Sequence, residues 1–466
     1  MTDSGSTLFW HRRDLRTVDN QGLAAAAQSG PVRPVVVLDP DLRSYAGERR
    51  QGFYLASLAS LQRTYRSLGT DLQVVDGDPR EEIPALATAV DADRVVWNRD
   101  YSKLARERDA AVKSALPEGV SVTETADVAL HEPGSIRTSK GEHYSVFSYY
   151  YKKWADRERP EPAPQPDSEA FADFEAEAVQ AIAASPVDSL PLPAGRQAAR
   201  DRLDRFLDGP IYEYAETRDR PAVSGTSRLS QDLAFGLLGI REVLEAVDEA
   251  DAGAGNSAQR DSVEEYRRQL AWRDFYLQVL AAHPETVTEN FKSFERPIAW
   301  RADPEAFAAW TNGETGYPIV DAGMRQLQAE SYMHNRVRMI VASFLTKDLQ
   351  IDWREGYRWF REHLLDHETA NDVGGWQWAA STGTDAQPYF RIFNPMTQGE
   401  RYDPEAEYIR TYVPELRDVD PELIHAWHDL DPDQREATAP EYPAPIVDHA
   451  QRREATIEMF ERARGD

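Results

Sequence analysis

Five short apolar segments alternate with helical patterns over residues 1–130, and this alternation is the strongest constraint on the fold. The segments are Thr7–Trp10, Val35–Leu38, Leu72–Val75, Arg94–Trp97 and Val120–Thr123. Amphipathic stretches, such as Gly52–Leu68 and Lys103–Leu116, lie between them. Strands that alternate with helices form a parallel sheet with helices on both faces. The sequence therefore predicts an α/β domain over residues 1–130, with a five-stranded parallel Rossmann-like sheet.

Polar residues follow two of these predicted strands. Trp10–Asp14 and Asn98–Asp100 fall where the strands end. Parallel sheets bind ligands beyond the carboxyl ends of their strands. Ordinary loop residues would give the same pattern, so the residues alone leave a binding site and a plain loop both open.

The rest of the chain changes character twice. Arg159–Asp167 is rich in proline and polar, which predicts that this segment is extended and exposed. It lies within a predicted interdomain connector over residues 131–195. From Gln197 onward, apolar residues recur at helical spacing and little resembles a strand. The clearest predicted helices are Gln231–Val247, Val263–Ala282, Pro304–Trp310, Ile319–Ala329, Asn335–Leu349 and Trp353–Leu364. Residues 196–466 are thus predicted to form a larger, all-α domain.

The net charge of the chain indicates the salt concentration at which the protein works. The net charge is -27, and seven of the 53 basic residues are lysine. This acidic excess with few lysines is typical of proteins adapted to high salt, although an acidic protein that avoids nucleic acid is the alternative. Because molar salt shortens the Debye length to about 3 Å, repulsion from DNA would be largely screened there.

Several classes of protein are excluded by composition. The chain has no cysteine, which rules out disulfides and thiolate metal sites. It has no apolar run of the roughly 18 residues that a membrane helix needs. Met1–Thr7 lacks the basic and apolar regions of a signal peptide, so we predict a cytoplasmic protein. His367 lacks neighbours at metal-ligand spacing, and no metal is predicted.

Two segments of the C-terminal half offer polar groups next to helices. Gly225–Ser230 places hydroxyl groups before a helical pattern, which suits a bound phosphate but also an ordinary helix cap. In Met333–Met339, Asn335 and Met339 are four residues apart and share a helix face. That face could line a pocket or could simply be the exposed start of a helix.

Two further segments are aromatic. Gln269–Tyr276 has the aromatic face of an amphipathic helix, which usually packs in a core. Asp366–Trp378 combines acidic residues, a glycine pair and two tryptophans. The paired glycines, Gly374 and Gly375, permit close approach of a ligand to the backbone.

In this order and spacing, the segments closely resemble the photolyase/cryptochrome family over nearly the whole chain. The motifs that carry the resemblance are Leu8–Arg16 with Asp19 and Asn20, Gly316–Arg325, Met333–Met339, Gly374–Trp378 and Phe390–Pro395. The resemblance implies FAD in the helical domain. The matching cofactor-binding positions are Tyr214, Thr226, Ser227, Arg228, Leu229 and Ser230 for the phosphates and ribityl chain, and Arg273, Asn335, Arg338, Asp366 and Glu368 around the rings.

The resemblance also assigns roles in electron transfer and substrate binding. Trp376 would lie nearest the flavin, Trp353 would be intermediate and Trp300 would lie at the surface. Such a chain of short hops is faster than a single long tunnelling step. The positions that match a pocket for a flipped-out pyrimidine dimer are Arg218, Gln269, Trp272, Asn335, Met339 and Trp378.

Three residues depart from the pattern of repair enzymes. Gln269 stands where cyclobutane-dimer enzymes usually carry Glu, and it cannot deliver a proton. Asp372 stands where they usually carry Asn and where plant cryptochromes carry Asp. An ionised carboxylate there would disfavour a reduced, anionic flavin by like-charge repulsion. Glu368 replaces an Asp found in many relatives.

The function implied by the resemblance is light-driven repair of cyclobutane pyrimidine dimers in UV-damaged DNA, by electron transfer from excited reduced FAD. The match is greatest to class I cyclobutane-dimer photolyases of salt-adapted organisms. A photoreceptor without repair activity and an enzyme for (6-4) photoproducts are the alternatives. Enzymes for (6-4) products carry a histidine pair in the segment that matches Met333–Met339, whereas this chain has Asn335 and Met339. We expect a monomer.

An antenna chromophore is also implied by the resemblance. It would be an 8-hydroxy-5-deazaflavin or methenyltetrahydrofolate, held by the N-terminal domain. Trp10, Arg12, Asp14 and Asp100 resemble the deazaflavin-binding pattern.

The charge balance predicts that the protein is more stable and more active in molar KCl than in dilute buffer. Salt screens repulsion among the excess carboxylates, so the free energy of unfolding should rise with KCl concentration. Urea unfolding at several KCl concentrations measures this dependence. A protein that is fully stable in dilute buffer and inhibited by molar KCl would contradict salt adaptation.

Overall fold

The computed structural model describes residues 5–179 and 190–465. Residues 1–4 and residues 180–189 of the predicted connector lie outside the described residues. The chain forms two compact units that interleave in sequence. The first unit comprises Met1–Ala215, Ser227–Glu285 and Leu365–Ala370, and the second comprises Glu216–Thr226, Thr286–Leu364 and Asn371–Asp466. The division into segments 1–130, 131–195 and 196–466 remains a prediction.

The first unit contains the predicted parallel sheet. Its strands are β1 (Ser6–His11), β2 (Val32–Leu38), β3 (Gln73–Asp76), β4 (Ala92–Asn98) and β5 (Ser121–Thr125), in the order β3-β2-β1-β4-β5. β1 is central, with Trp10 opposite Val35 on one side and Trp97 on the other. Residues 7–11 of β1 are all buried, as expected for a strand covered on both faces. All five predicted strands are confirmed.

Helices make up most of the remaining described structure. The N-terminal helices are α1 (Gln21–Ala27), α2 (Pro40–Ser44), α3 (Glu48–Ser67), α4 (Pro79–Ala89), α5 (Lys103–Ala115) and α6 (Phe147–Asp156). They are followed by α7 (Arg196–Leu207), α8 (Tyr214–Thr217), α9 (Ser230–Ala234), α10 (Ile240–Gly253), α11 (Ser257–Ala282), α12 (Pro304–Asn312), α13 (Pro318–Glu330) and α14 (Asn335–Ser343). The last are α15 (Trp353–His363), α16 (Thr369–Ala379), α17 (Pro395–Tyr402), α18 (Glu407–Tyr412), α19 (Pro421–His425), α20 (Pro432–Thr438) and α21 (His449–Arg464). Within residues 190–465 no strand occurs, which confirms the all-α prediction.

Two predicted helices have a different structure from the one expected. The helix predicted over Gln231–Val247 is broken into α9 and α10, because Gly236 turns the chain with a φ of 62°. A Cβ atom at Gly236 would lie 2.3 Å from the backbone oxygen of Arg13. The helix predicted over Asn335–Leu349 ends at Ser343 and continues as a π-helix, Phe344–Asp348.

The proline-rich segment Arg159–Asp167 is extended and mostly exposed, as predicted, although Ala163 is buried. Other parts of the predicted connector differ from it. The helix α6 lies within residues 131–195, and Phe171 and Val179 are buried. The backbone N–H of Ala172 donates to Val32 at 2.9 Å, and that of Val179 donates to Gln62 at 3.0 Å, so these apolar residues pack on the first unit.

A buried network of charges joins distant segments of the first unit. Asp127 accepts hydrogen bonds from Arg16 and Arg241, both at 2.6 Å. Asp19 accepts from Arg241 at 2.5 Å. All four side chains are almost completely buried. The network connects the loop after β1, the segment after β5 and the start of α10.

Neutralising Asp127 should destabilise the first unit strongly. The substitution Asp127→Asn removes the carboxylate that pairs with the buried Arg16 and one of the two carboxylates that pair with Arg241, and breaking such a buried pair costs about 3–5 kcal/mol. Asp76→Asn is the matched control, because the pair of Asp76 with Arg43 is exposed and worth at most about 1 kcal/mol. Urea unfolding in molar KCl measures both changes, and equal losses of stability would contradict this ranking.

Candidate active site

A buried cluster of two arginines and Glu368 lies in the first unit. Glu368 accepts hydrogen bonds from Arg13 and, at 3.2 Å, from Arg273. Arg273 also donates to the backbone oxygen of Val128 at 2.6 Å. Burial lowers the pKa of Arg273 to about 10 despite the opposing charge of Asp274. Glu368, predicted near the cofactor rings, thus orients two cationic side chains through one carboxylate oxygen.

The loop Gly225–Ser230 has the hydroxyl groups and irregular backbone that the sequence predicted. Ser227 accepts a hydrogen bond from Tyr266 at 3.1 Å, so its own hydroxyl hydrogen is directed elsewhere. Arg228 has a φ of 53°, a left-handed conformation that is uncommon for a residue with a Cβ atom. Tyr214 packs edge-on against Tyr266 with ring centroids 5.2 Å apart. Leu229 is buried, Ser230 is exposed, and Thr226, in the second unit, is half-buried.

Two predicted substrate-binding residues lie on α11 in the first unit. Trp272 is half-buried and stacks on Phe147, with ring centroids 3.8 Å apart and planes at 10°. One face of its indole is therefore covered. Gln269 donates its amide to Glu265 at 2.9 Å. A carboxylate thus orients the amide from one helical turn away.

The start of α14 provides a polar face in the second unit. Asn335 is exposed and donates to the Met339 sulfur at 3.8 Å, so the two predicted neighbours do share a face. Arg336 forms a two-point contact with Asp219, at 2.7 and 3.2 Å. Arg338 donates to the backbone oxygen of Met333 at 2.7 Å. Asn335 and Met339 thus present an amide and a sulfur atom on this face. Hydrogen bonds hold Arg336 and Arg338 in place beside them.

The three tryptophans of the predicted electron-transfer chain lie in or against one apolar cluster of the second unit. Trp376 and Trp353 are inside it, 2% and 0% exposed, and Trp300 packs on it half-buried. Trp353 donates to Asn290 at 2.9 Å, while Trp300 contacts Phe460 edge-on at 6.0 Å. Trp300 is thus the most exposed of the three, and the order of electron transfer among them remains a prediction.

Trp376 has an unusual environment. Among the described residues, its buried indole N–H has no hydrogen-bond partner. Trp310 and Phe360 contact it edge-on, with centroids 6.1 and 5.0 Å away. A Cβ atom at position 356 would lie 2.1 Å from its ring, so only Gly356 leaves room for the indole.

The remaining C-terminal candidates occupy different positions. Trp378 is half-buried against Phe393, with ring centroids 6.3 Å apart. Arg218 is 4.0 Å from Asp219, its neighbour in the sequence. Asp366 is buried in the first unit, and Asp372 is half-buried in the first turn of α16 in the second.

Three of the four antenna candidates are interior residues of the first unit. Trp10 is 2% exposed, and Arg12 forms a two-point ion pair with Asp109 at 2.7 and 2.8 Å. Asp14 accepts from Asn98 at 2.5 Å, although burial opposes its charge; His11 and other partners hold its pKa below the usual value. Their polar groups are thus used within the protein.

Asp100 has a different setting. It lines a cavity of about 410 Å³ together with Arg106, Lys113, Arg137 and His143. Burial raises the pKa of Asp100, but Arg13 and Arg12 more than reverse this effect and lower it. The structure therefore brings Asp100 to this cavity, which the other three antenna candidates do not line.

Sequence reasoning missed two residues that shape the site. Arg13 pairs with Glu368, and Trp310 packs on Trp376. Arg13 was visible only as part of the Leu8–Arg16 motif, because its partner lies 355 residues further along the chain. Trp310 reads as an ordinary core residue of α12, and no local signal connects it to Trp376.

The residues of each unit fit a bound flavin dinucleotide. A buried arginine such as Arg273 is a strong partner for an anionic group, and the Ser227 hydroxyl, whose oxygen accepts from Tyr266, can donate its hydrogen to a phosphate. An indole N–H without a partner indicates that Trp376 is not engaged in local hydrogen bonding. Among the described residues, no group of three or more potential ligands could hold a metal, and no helix is long and apolar enough to cross a membrane.

Comparison with known proteins agrees with these features. Residues 7–167 match the family model for DNA photolyase, and residues 266–462 match that for the FAD-binding domain of DNA photolyase. A deoxyribodipyrimidine photo-lyase of Halobacterium salinarum is 56% identical, over 98% of this chain and 99% of the relative.

Solved structures extend the similarity to the fold. A class III photolyase from Agrobacterium tumefaciens has a TM-score of 0.91 and 35% identity, covering 100% of this chain and 99% of that chain. A cryptochrome from Synechocystis has a TM-score of 0.88 and 27% identity, covering 98% of this chain and 100% of that chain. With the two family models, the Halobacterium relative and the photolyase fold in agreement, this chain belongs to the DNA photolyase family and carries its FAD-binding domain.

Proposed function

We propose that this protein is a light-driven lyase that repairs cyclobutane pyrimidine dimers in UV-damaged DNA. The observation that carries the proposal is the exposed face of α14, where Asn335 and Met339 contact each other at 3.8 Å. An amide and a thioether replace the histidine pair typical of (6-4) enzymes at this position. The 56% identical Halobacterium relative, which is named for this reaction, supports the same conclusion.

Reduced FAD, when bound and excited by light, supplies the electron that splits the dimer. The chain's own residues bind and orient the substrate. Asn335 offers an amide to the pyrimidine carbonyl and N–H groups, and Met339 offers a polarisable surface beside it. Trp378, half-buried, presents part of its indole to an unstacked base. Gln269, oriented by Glu265, binds by hydrogen bonds and transfers no proton.

Trp300, Trp353 and Trp376 serve a separate step, the photoreduction of the oxidised cofactor. Electrons move inward from Trp300 through Trp353 to Trp376, and each donor is an indole in an apolar cluster. Low polarity around Trp353 and Trp376 limits the reorganisation that accompanies each hop. Trp300, half-buried, receives the replacement electron from solution.

The antenna is part of the proposal too. We infer that a deazaflavin or folate chromophore uses the cavity at Asp100, because Arg106, Arg137 and His143 line it with polar groups. Trp10, Arg12 and Asp14 then act by positioning the strand ends around it. We also propose a cytoplasmic monomer, since the exposed large apolar side chains, such as Leu42, are scattered along the sequence.

A photoreceptor without repair activity is the second candidate. Asp372, in the first turn of α16, is the observation that favours it, because plant cryptochromes carry Asp at the matching position. The similarity to the Synechocystis cryptochrome fold is compatible with either function. Repair activity distinguishes the two candidates directly.

The photoreduced protein should remove dimers from a thymine-dimer oligonucleotide under blue light in molar KCl, and none in the dark. Asn335→Ala should slow repair at limiting DNA by roughly tenfold, because one hydrogen bond to a substrate is worth about 1 kcal/mol or more. Asn312→Ala, at the exposed end of α12, is the matched control and should leave the rate unchanged. Dimers that persist although reduced FAD is bound would favour the photoreceptor.

Trp376→Phe should block the photoreduction of oxidised FAD while sparing repair by chemically reduced protein. Phenylalanine keeps the aromatic packing but is much harder to oxidise than tryptophan. Trp427→Phe is the control, since Trp427 is buried in the same cluster and donates only to the Pro443 oxygen. Absorbance during illumination with an external reductant measures the rate. Unchanged photoreduction in Trp376→Phe would refute the assignment of the chain.

A further inference from the structure

Two of the chain's seven lysines converge on one residue of the second unit. The amine of Lys347 lies 2.8 Å from the Ser381 hydroxyl and 3.3 Å from the backbone oxygen of Ala380. The amine of Lys292 donates to the backbone oxygen of Ser381 at 3.4 Å. In the described part of the chain, neither lysine is ion-paired with a carboxylate. This amine cluster has no role in the proposed repair reaction.

The backbone is specially shaped to bring the two amines together. Ser381 has a φ of 65°, in the left-handed region that residues with a Cβ atom seldom adopt. Its hydroxyl and its backbone oxygen thereby contact different lysines. Lys347 reaches the cluster from the π-helix Phe344–Asp348, a type of helix that often occurs at functional sites.

Burial is the main influence on the pKa values of both amines, and it favours their neutral forms. Burial, with Lys292 nearby, holds the pKa of the 1% exposed Lys347 well below its usual value. Burial also lowers the pKa of Lys292; Arg464 adds to this effect and Asp385 opposes it. A lysine that is partly desolvated beside another cation is a standard form of activated amine nucleophile.

A cavity of about 350 Å³ gives access to Lys292. Ser381, Glu295 and Arg464 also line it, together with four aromatic side chains, Phe294, Tyr389, Phe390 and Phe460. Phe390 is 56% exposed, and the Arg464 guanidinium lies 5.2 Å from the centre of the Tyr389 ring. Aromatic faces can stack on nucleobases, and a guanidinium pairs readily with phosphate. Lys347, in contrast, is closed off beneath the Phe460 ring at 3.9 Å.

We propose that Lys292 is a nucleophilic amine that forms a Schiff base with an aldehyde carrying a neighbouring phosphate. The ring-opened deoxyribose of an abasic site in DNA has this chemistry, and so does a small phosphorylated aldehyde. The neutral amine attacks the carbonyl carbon, a C–N bond forms, and the carbonyl oxygen leaves as water with the two amine protons. Arg464 binds the phosphate, and the aromatic side chains cover an adjacent base. The reaction requires neither light nor an oxidant or reductant.

Reductive trapping tests the proposal in the FAD-loaded protein, in the dark. The probes are an oligonucleotide with one abasic site, an undamaged oligonucleotide and glyceraldehyde 3-phosphate, each with cyanoborohydride, which reduces the Schiff base to a stable amine. Peptide mass mapping compares Lys292 with Lys103 and Lys140 of the same molecule, which are exposed as Lys292 is but do not line this cavity. We expect about tenfold faster trapping at Lys292 near neutral pH for each unit by which its pKa is lowered.

Lys292→Arg keeps the positive charge but removes the nucleophile, and it should abolish the fast trapping. Lys103→Arg is the matched control on the first unit and should leave it unchanged. Trapping with the abasic oligonucleotide alone identifies DNA as the source of the aldehyde, and trapping with glyceraldehyde 3-phosphate alone identifies a small metabolite. Equal labelling of the three wild-type lysines with every probe would overturn the proposal, whether or not any variant folds.

A neutral aldehyde separates nucleophilicity from phosphate binding. With formaldehyde as the probe, Arg464→Gln should still slow trapping at Lys292, because it removes a permanent positive charge that lowers the pKa of the amine. An unchanged rate of trapping would show that the positive charge of Arg464 does not activate Lys292. Dimer repair is assayed on the same preparation in light, so a failure of trapping is distinguishable from a failure of the proposed repair function.

Discussion

The ion pairs of the buried Asp127 carboxylate with Arg16 and Arg241 are the interactions on which the first unit most depends. Burial alone would lower the pKa of Arg16, but Asp127 and Asp19 outweigh it and raise that pKa. The charges therefore persist inside the unit, and each must keep its partner because an isolated buried charge is costly. Arg241 extends the requirement to α10. The loop after β1 is thereby fixed, and with it Arg13, which reaches Glu368.

The sequence was sufficient where structure follows from local pattern. All five strands were predictable from their short runs of β-branched and apolar residues. The signal is clearest in β1, β2 and β4, which are buried on both faces, whereas the edge strands β3 and β5 are only partly buried. The break at Gly236 was not predictable, because its cause is the backbone of Arg13, far away in the sequence. The π-helix at Phe344–Asp348 was equally hidden, since one extra residue in a turn hardly alters the spacing of apolar residues.

The candidate site shows the same limit. Motifs identified which residues matter, but their partners decide what each one does. Trp272 reads as a free aromatic platform, yet Phe147, from another helix, covers one of its faces. Arg12 and Asp14 read as ligands beyond a strand, yet Asp109 and Asn98 occupy their polar atoms. The shared helix face of Asn335 and Met339 was predictable, because their contact lies within one helical turn.

The apolar cluster that contains the tryptophans is the hydrophobic core of the second unit and also the proposed path of electron transfer. The packing that serves the first role also serves the second. Dense packing around Trp376 fixes the ring and excludes water, which stabilises the fold and also keeps the surroundings of an electron carrier rigid. The absence of a side chain at Gly356 leaves room for the indole of Trp376. Phenylalanine would fill the same apolar space with a smaller ring that is much harder to oxidise. Under the proposed electron-transfer role, the indole of Trp376 therefore adds its ease of oxidation to the packing that it already provides.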